Sequence, residues 1–225
     1  MATIVIVPGA WHGGWRWKEV RLALQAAGHE VYALTPTGLG ERSHLASPAI
    51  SLDTWVQDVV NVLAYEDLRD VVLAGHSFGG MVLPAVADRA ADRLARRIYV
   101  DALLPRAGEC AYDLAPPEVR AEEEEAARLH GEGWRIPPSP GADWRATPFP
   151  LKPCQQPLHL TGAGDDTVPG VYIHCTAKTG WDFCAPMADR ARARGWPVYE
   201  LATGHDPLPN AAERAALVDL LLKVV

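Results

Sequence analysis

The chain has 225 residues, 48% hydrophobic and 22% charged, a balance that suits one globular α/β domain over 1–225 with a substantial core and shows no second domain. Its formal net charge of -7, with no basic stripe or arginine-rich run, argues against a nucleic-acid partner. The apolar opening at 3–7 is too short to span a membrane and lacks the basic flank and cleavage pattern of a signal peptide, so a cytoplasmic protein without a membrane partner is expected.

Strand-like and helix-like segments alternate through the N-terminal half. Residues 3–7 read as a buried strand, 17–27 as a helix closed by Gly28, and 29–34 as a second strand. A helix over 54–65, a strand over 71–74, a helix over 81–91 and a strand over 95–100 follow. This alternation predicts a mostly parallel sheet with helices on both faces and a ligand site outside the carboxyl ends of the strands. From about 105 to 170 the rhythm breaks. A charged helix fits 118–130, in which Glu122 to Glu125 read as a solvated face, and the proline-crowded stretch 136–157 has no regular pattern. An irregular insert at the strand-end side is expected to act as a lid. Regular structure returns with a strand over 171–176, a helix over 185–194, a strand over 198–201 and a closing helix over 211–224. The core is therefore 1–104 and 171–225.

The apolar run at 71–74 leads into Gly75-His76-Ser77-Phe78-Gly79, a Gly-x-Ser-x-Gly pattern between a strand and a helix. Such a turn presents a serine hydroxyl at the head of a helix, and its glycines permit close packing of strand and helix. Ser77 is the expected nucleophile. A serine hydroxyl is weak at neutral pH and requires a base, itself oriented by a third group. His205 follows the last predicted strand, in the chain order Ser then His that this motif implies, whereas His76 and His12 read as structural histidines near turns.

The acid is less plain. Asp165 and Asp166 follow an apolar stretch at 158–160, but the few residues separating them from the strand at 171 are too few for a parallel crossover, which places them at the wrong end of that strand. Two candidates remain. Asp101 directly follows a strand next to that of the nucleophile, and Asp182 lies six residues beyond the strand ending at Thr176. Asp101 is preferred and Asp182 is the alternative. Acyl transfer also needs two donors aimed at the oxyanion. The N–H of Phe78, just after the nucleophile, and that of Ala10, in the glycine-rich loop after the first strand, are expected to supply them. Trp11, Trp134 and Trp144 are candidate pocket residues. The four cysteines, at 110, 154, 175 and 184, show no paired spacing and no metal-ligand pattern with histidine, so reduced thiols are expected and neither a metal nor a cofactor is implied.

The segments Gly9-Ala10-Trp11-His12-Gly13-Gly14-Trp15-x-Trp17, Ala27-Gly28-His29-x-Val31, Gly75 to Gly80 and Tyr172-x-x-Cys175-Thr176 resemble the α/β-hydrolase branch that holds plant methylesterases, hydroxynitrile lyases and small bacterial esterases. The resemblance covers both ends of the chain and implies an α/β-hydrolase fold with a reduced cap, Ser77 and His205 as catalytic residues, and Ala10 and Phe78 as oxyanion donors. It departs from the family at three places. Ala177-Lys178-Thr179 stands where family members commonly carry the catalytic aspartate. Gly9 and Asp206 stand where the lyases have a threonine and a lysine, which argues against cyanohydrin cleavage. The insert is also shorter than in the plant enzymes. The expected activity is hydrolysis of a small apolar ester, lactone or thioester. A non-hydrolytic eliminase, cyclase or lyase on the same scaffold, and a ligand-binding protein without turnover, are the alternatives. Homodimerisation is compatible with the sequence, which shows no interface for it.

Overall fold

The computed structural model describes residues 1–161, 167–180 and 182–225. Asp165 and Asp166 lie outside the described residues. Strands β1 (Thr3–Val7), β2 (Glu30–Ala33), β3 (Val71–His76), β4 (Leu94–Val100), β7 (Gly170–Cys175) and β8 (Val198–Leu201) form one sheet in the order β2-β1-β3-β4-β7-β8. Every pairing in it is parallel. Alternate residues of each strand face opposite sides, so the sheet carries a core on each face. Ile4, Ile6, Val72, Ala74, Ile98 and Val100 pack with helices α1 (Lys18–Ala26) and α7 (Ala211–Val224). Val5, Val7, Leu73, Tyr99 and Tyr172 pack with α2 (Leu52–Tyr65), α3 (Leu83–Ala90) and α6 (Ala185–Ala193).

Local chemistry shifts the helix ends from those expected. Ser51 caps α2 by accepting from the Thr54 N–H while the Thr54 hydroxyl accepts from the Ser51 N–H. This capping box makes Thr54 the third helical residue, so α2 begins at Leu52. Two tight 3-10 turns, Gly14–Trp17 and Ser77–Met81, lead into α1 and α3.

Chain order reverses on either side of β1: β2 lies beside it on one side and β3 on the other. The loops after β1 and β3 therefore splay around a crevice at the carboxyl edge of the sheet. Over that edge lies the insert, with α4 (Pro117–His130), a two-stranded antiparallel pair of β5 (Arg135–Ile136) and β6 (Phe149–Pro150), and α5 (Lys152–Gln155). The short strands and α5 correct the expectation of a patternless stretch at 136–157. Two- and four-residue elements are too brief to leave a periodic signal. Tertiary hydrogen bonds hold the insert down: Trp11 Nε1 donates to the Ile136 carbonyl at 3.1 Å, and the Thr147 N–H to the Trp11 carbonyl at 3.0 Å.

Candidate active site

The register of the sheet brings two side chains together. Gly75 pairs with Tyr99 and His76 with Val100, so Ser77 and Asp101 leave neighbouring strands at the same level. Both turn sharply, with φ of 52° at Ser77 and 41° at Asp101, in the left-handed region that non-glycine residues rarely occupy. The glycines flanking Ser77 are required by contact. A Cβ on Gly79 would lie 2.5 Å from the Val7 carbonyl oxygen, and one on Gly75 would lie 2.6 Å from Leu83 Cδ1.

His205 arrives from the loop after β8. Its Nε2 lies 2.9 Å from Ser77 Oγ and its Nδ1 2.6 Å from Asp101 Oδ2. Asp101 is fully buried. Its Oδ1 also accepts the Cys175 N–H at 3.0 Å. Burial pushes the Asp101 carboxyl up, but the hydrogen bonds from His205 and Lys178 outweigh it and hold the group below its ordinary range. His76 stacks on His205 with ring centroids 5.1 Å apart, and its Nε2 lies 2.9 Å from the His205 carbonyl oxygen. Burial, reinforced by the neighbouring His205, lowers the His76 pKa to about 4, so at neutral pH its ring is uncharged and its Nε2–H donates to that carbonyl. Asp206, the next residue, pairs with Arg16 and anchors the other side of the loop.

Lys178 was not singled out from sequence as a site residue. Its side chain is only 8% exposed, and Nζ lies 2.7 and 2.8 Å from the two oxygens of Asp101 and 2.7 Å from Asp182 Oδ1. The lysine that departs from the family pattern thus sits directly behind the acid. The signal was that departure: a cation in the position of the expected carboxylate requires an anion elsewhere in the same space. Asp182, the alternative acid, is not on His205. It bonds His174 Nε2 at 2.7 Å and accepts the N–H groups of Cys184 and Ala185 at 2.9 and 3.1 Å, which orients the start of α6. Its loop turns toward His174 within its own strand-helix unit. Asp101, His174 and Asp182 converge closely enough to suggest a metal cluster, but the cation between the two carboxylates is the Lys178 ammonium.

A cavity of about 270 Å³ opens onto Ser77 and His205. Ala10 and Phe78 line it beside them. Its other walls are mostly apolar, with Trp11, Leu103, Val119, Phe149 and Phe183 among them. Of the tryptophans considered from sequence, Trp11 lines the cavity and Trp134 and Trp144 do not: Trp144 is 89% exposed, and Trp134 lies under the Arg135 guanidinium. Phe149 supplies an aromatic wall instead, packed on Phe78 at 4.9 Å and Trp11 at 5.7 Å. Glu123, expected on a solvated face, also reaches the cavity. Among the described residues, no helix is long and apolar enough to cross a membrane.

Comparison with known proteins places this geometry in a family. Residues 4–220 match the model of the Alpha/beta hydrolase family. The chain is 37% identical over 245 aligned positions to the carbendazim hydrolyzing esterase of Nocardioides sp. (strain SG-4G), covering 96% of this chain and 99% of that protein. It is 30% identical to Methylesterase 2 of Arabidopsis thaliana over 58% of this chain and 48% of that protein. Among solved structures, an extracellular alpha/beta-hydrolase from a Paenibacillus species superposes with a TM-score of 0.82 at 22% identity, covering 98% of each chain. The chain belongs to the alpha/beta hydrolase family, as its parallel sheet, its strand-to-helix serine turn and its near full-length relationship to an esterase together require.

Proposed function

We propose that this esterase works through Ser77, His205 and Asp101 on a small, largely apolar ester, lactone or thioester. The observation that carries the reading is the unbroken line of contacts from Ser77 Oγ to His205 Nε2 and from His205 Nδ1 to Asp101 Oδ2. Asp101 is ionised at neutral pH and accepts from Nδ1–H, which leaves the Nε2 lone pair facing the serine hydroxyl. As Ser77 Oγ attacks the carbonyl carbon, His205 takes its proton. The proton then passes to the leaving alkoxide or thiolate as the tetrahedral intermediate collapses to an acyl-enzyme. Water enters by the same route in reverse and releases the acid. The N–H groups of Ala10 and Phe78 are assigned to the oxyanion, since both residues lie at the wall that holds Ser77. His76, neutral and bonded to the His205 carbonyl, holds the base in place.

The size and apolar walls of the cavity support a small uncharged substrate. The four buried thiols, unpaired in the structure, support a reducing compartment such as the cytoplasm. Stopped-flow hydrolysis of p-nitrophenyl acetate tests the reading. A burst of one equivalent of nitrophenolate, absent in Ser77→Ala, is expected from an acyl-enzyme. Hydrolysis that persists unchanged in Ser77→Ala overturns it.

A further inference from the structure

The proposed triad uses Ser77, His205 and Asp101 but leaves a buried cation behind them without a task. Lys178, in the loop after β7, has three N–H donors, and three carboxylate oxygens lie within 2.8 Å of its Nζ: both of Asp101 and Oδ1 of Asp182. Asp101 Oδ2 is also the oxygen bonded to His205 Nδ1, so the ammonium and the imidazole share one acceptor. On the far side, Asp182 Oδ2 lies 2.7 Å from His174 Nε2. The line from Ser77 to Asp101 thus continues through Lys178 to a second carboxylate.

The groups facing this line divide by charge. Burial pulls the Lys178 ammonium down, but its hydrogen bonds to Asp101 and Asp182 outweigh that and hold it above its ordinary range. Burial likewise pushes the Asp182 carboxyl up, and the bonds from Lys178 and His174 more than reverse it. The other titratable neighbours of Asp101 are uncharged at neutral pH: burial pushes the Cys175 thiol up to about 12 and raises the Cys184 thiol and the Tyr172 phenol further. On the other side of His205, His76 is neutral and Asp206 is paired with Arg16. Two carboxylates and one ammonium therefore leave the cluster at -1 while His205 is neutral, and at zero once it takes the Ser77 proton.

We infer that Lys178 is a positioning residue for the reaction, whose ammonium fixes the Asp101 carboxylate toward His205 and offsets its charge, keeping His205 free to accept a proton in mildly acidic solution. The inference rests on the triad reading and adds to it a residue that touches neither the substrate cavity nor the serine. A positive charge bonded to Asp101 weakens the hold of that carboxylate on the protonated imidazole. Without it, two carboxylates face the ring, the proton is retained to higher pH, and the acid limb of the activity profile moves upward.

The pH dependence of kcat/KM for p-nitrophenyl acetate tests this in two pairs: Lys178→Met against wild type, and Lys178→Met/Asp182→Asn against Asp182→Asn. In each pair the loss of the ammonium is expected to raise the midpoint of the acid limb by about 1 pH unit and to leave KM unchanged. Burst titration sets the active-site concentration, so partial unfolding does not imitate the shift. The second pair, whose double variant keeps the net charge of the wild-type cluster, carries the test if Lys178→Met alone does not fold. A limb that stays in place or moves down overturns the inference. Activity that survives Ser77→Ala overturns the esterase mechanism instead, and a protein that passes that test with an unmoved limb overturns the role of Lys178 alone.

Discussion

At the floor of the cavity the buried polar groups form a dense charged network, and at its roof they are few and set among apolar walls. Asp101 takes bonds from His205, Lys178 and the Cys175 N–H, and Lys178 is shared with Asp182. Across the cavity, the Tyr112 hydroxyl and the Glu123 carboxyl adjoin each other and otherwise face apolar walls. Both regions are enclosed, so burial alone does not account for the contrast. A saturated network holds its members in one geometry and one charge state, as a proton relay needs. A wall with few polar groups offers mainly apolar contact. The floor is thus suited to holding a proton relay, and the roof to enclosing an apolar group.

The sharpest way to break the floor is Asp101→Asn. Loss of the carboxylate removes the acceptor that sets the His205 tautomer, and kcat is expected to fall about 10⁴-fold with little change in KM. Steady-state kinetics with p-nitrophenyl acetate measure this. The same substitution has a pH signature. The Asp101 carboxyl is lower in the folded protein than its ordinary 3.8, so its contribution to stability is present above that pH and lost as pH falls through the folded value. Urea unfolding at a series of acid pH values is expected to show a shallower acid loss of stability in Asp101→Asn than in the wild type.

A smaller effect is expected from Lys178→Met, which leaves two carboxylates without their shared cation. Breaking a buried ion pair from one side costs about 3 kcal/mol, equivalent to roughly 6–12 °C in Tm for a chain of this size. Differential scanning calorimetry reads it directly. Asp182→Asn removes a partly exposed carboxylate from the far side of the lysine and is expected to cost about 1 kcal/mol while kcat stays within about threefold of wild type. A large loss of kcat in this variant would restore Asp182 as a participant in the reaction. Trp144→Ala, at an exposed position, is expected to change stability by less than about 0.5 kcal/mol and to leave kcat/KM unaltered.

The parallel sheet was legible because its strands are short apolar runs separated by amphipathic helices. β1 and β8 have the expected ends, and β3 extends two residues beyond the predicted strand, to His76. The Gly-x-Ser-x-Gly turn pointed to Ser77, the position after the last strand to His205, and the end of a neighbouring strand to Asp101. The structure brings those three side chains within hydrogen-bond distance. Choosing Asp101 over Asp182 depended on where a loop of six residues turns, and local pattern carries no information on that path. Lys178 and Glu123 were hidden for a different reason. A lysine in a loop and one glutamate among four read as solvated until tertiary packing closes over them. Phe149 was hidden by the proline-rich insert, whose two-residue strands have no period to detect.

Intact mass after treatment with a fluorophosphonate probe tests the esterase mechanism most directly, because labelling requires an activated serine and no knowledge of the natural substrate. A single stoichiometric adduct on the wild-type protein is expected, with none on Ser77→Ala and much slower labelling of Asp101→Asn. A folded wild-type protein that takes up no adduct, or one labelled equally after Ser77→Ala, would contradict it.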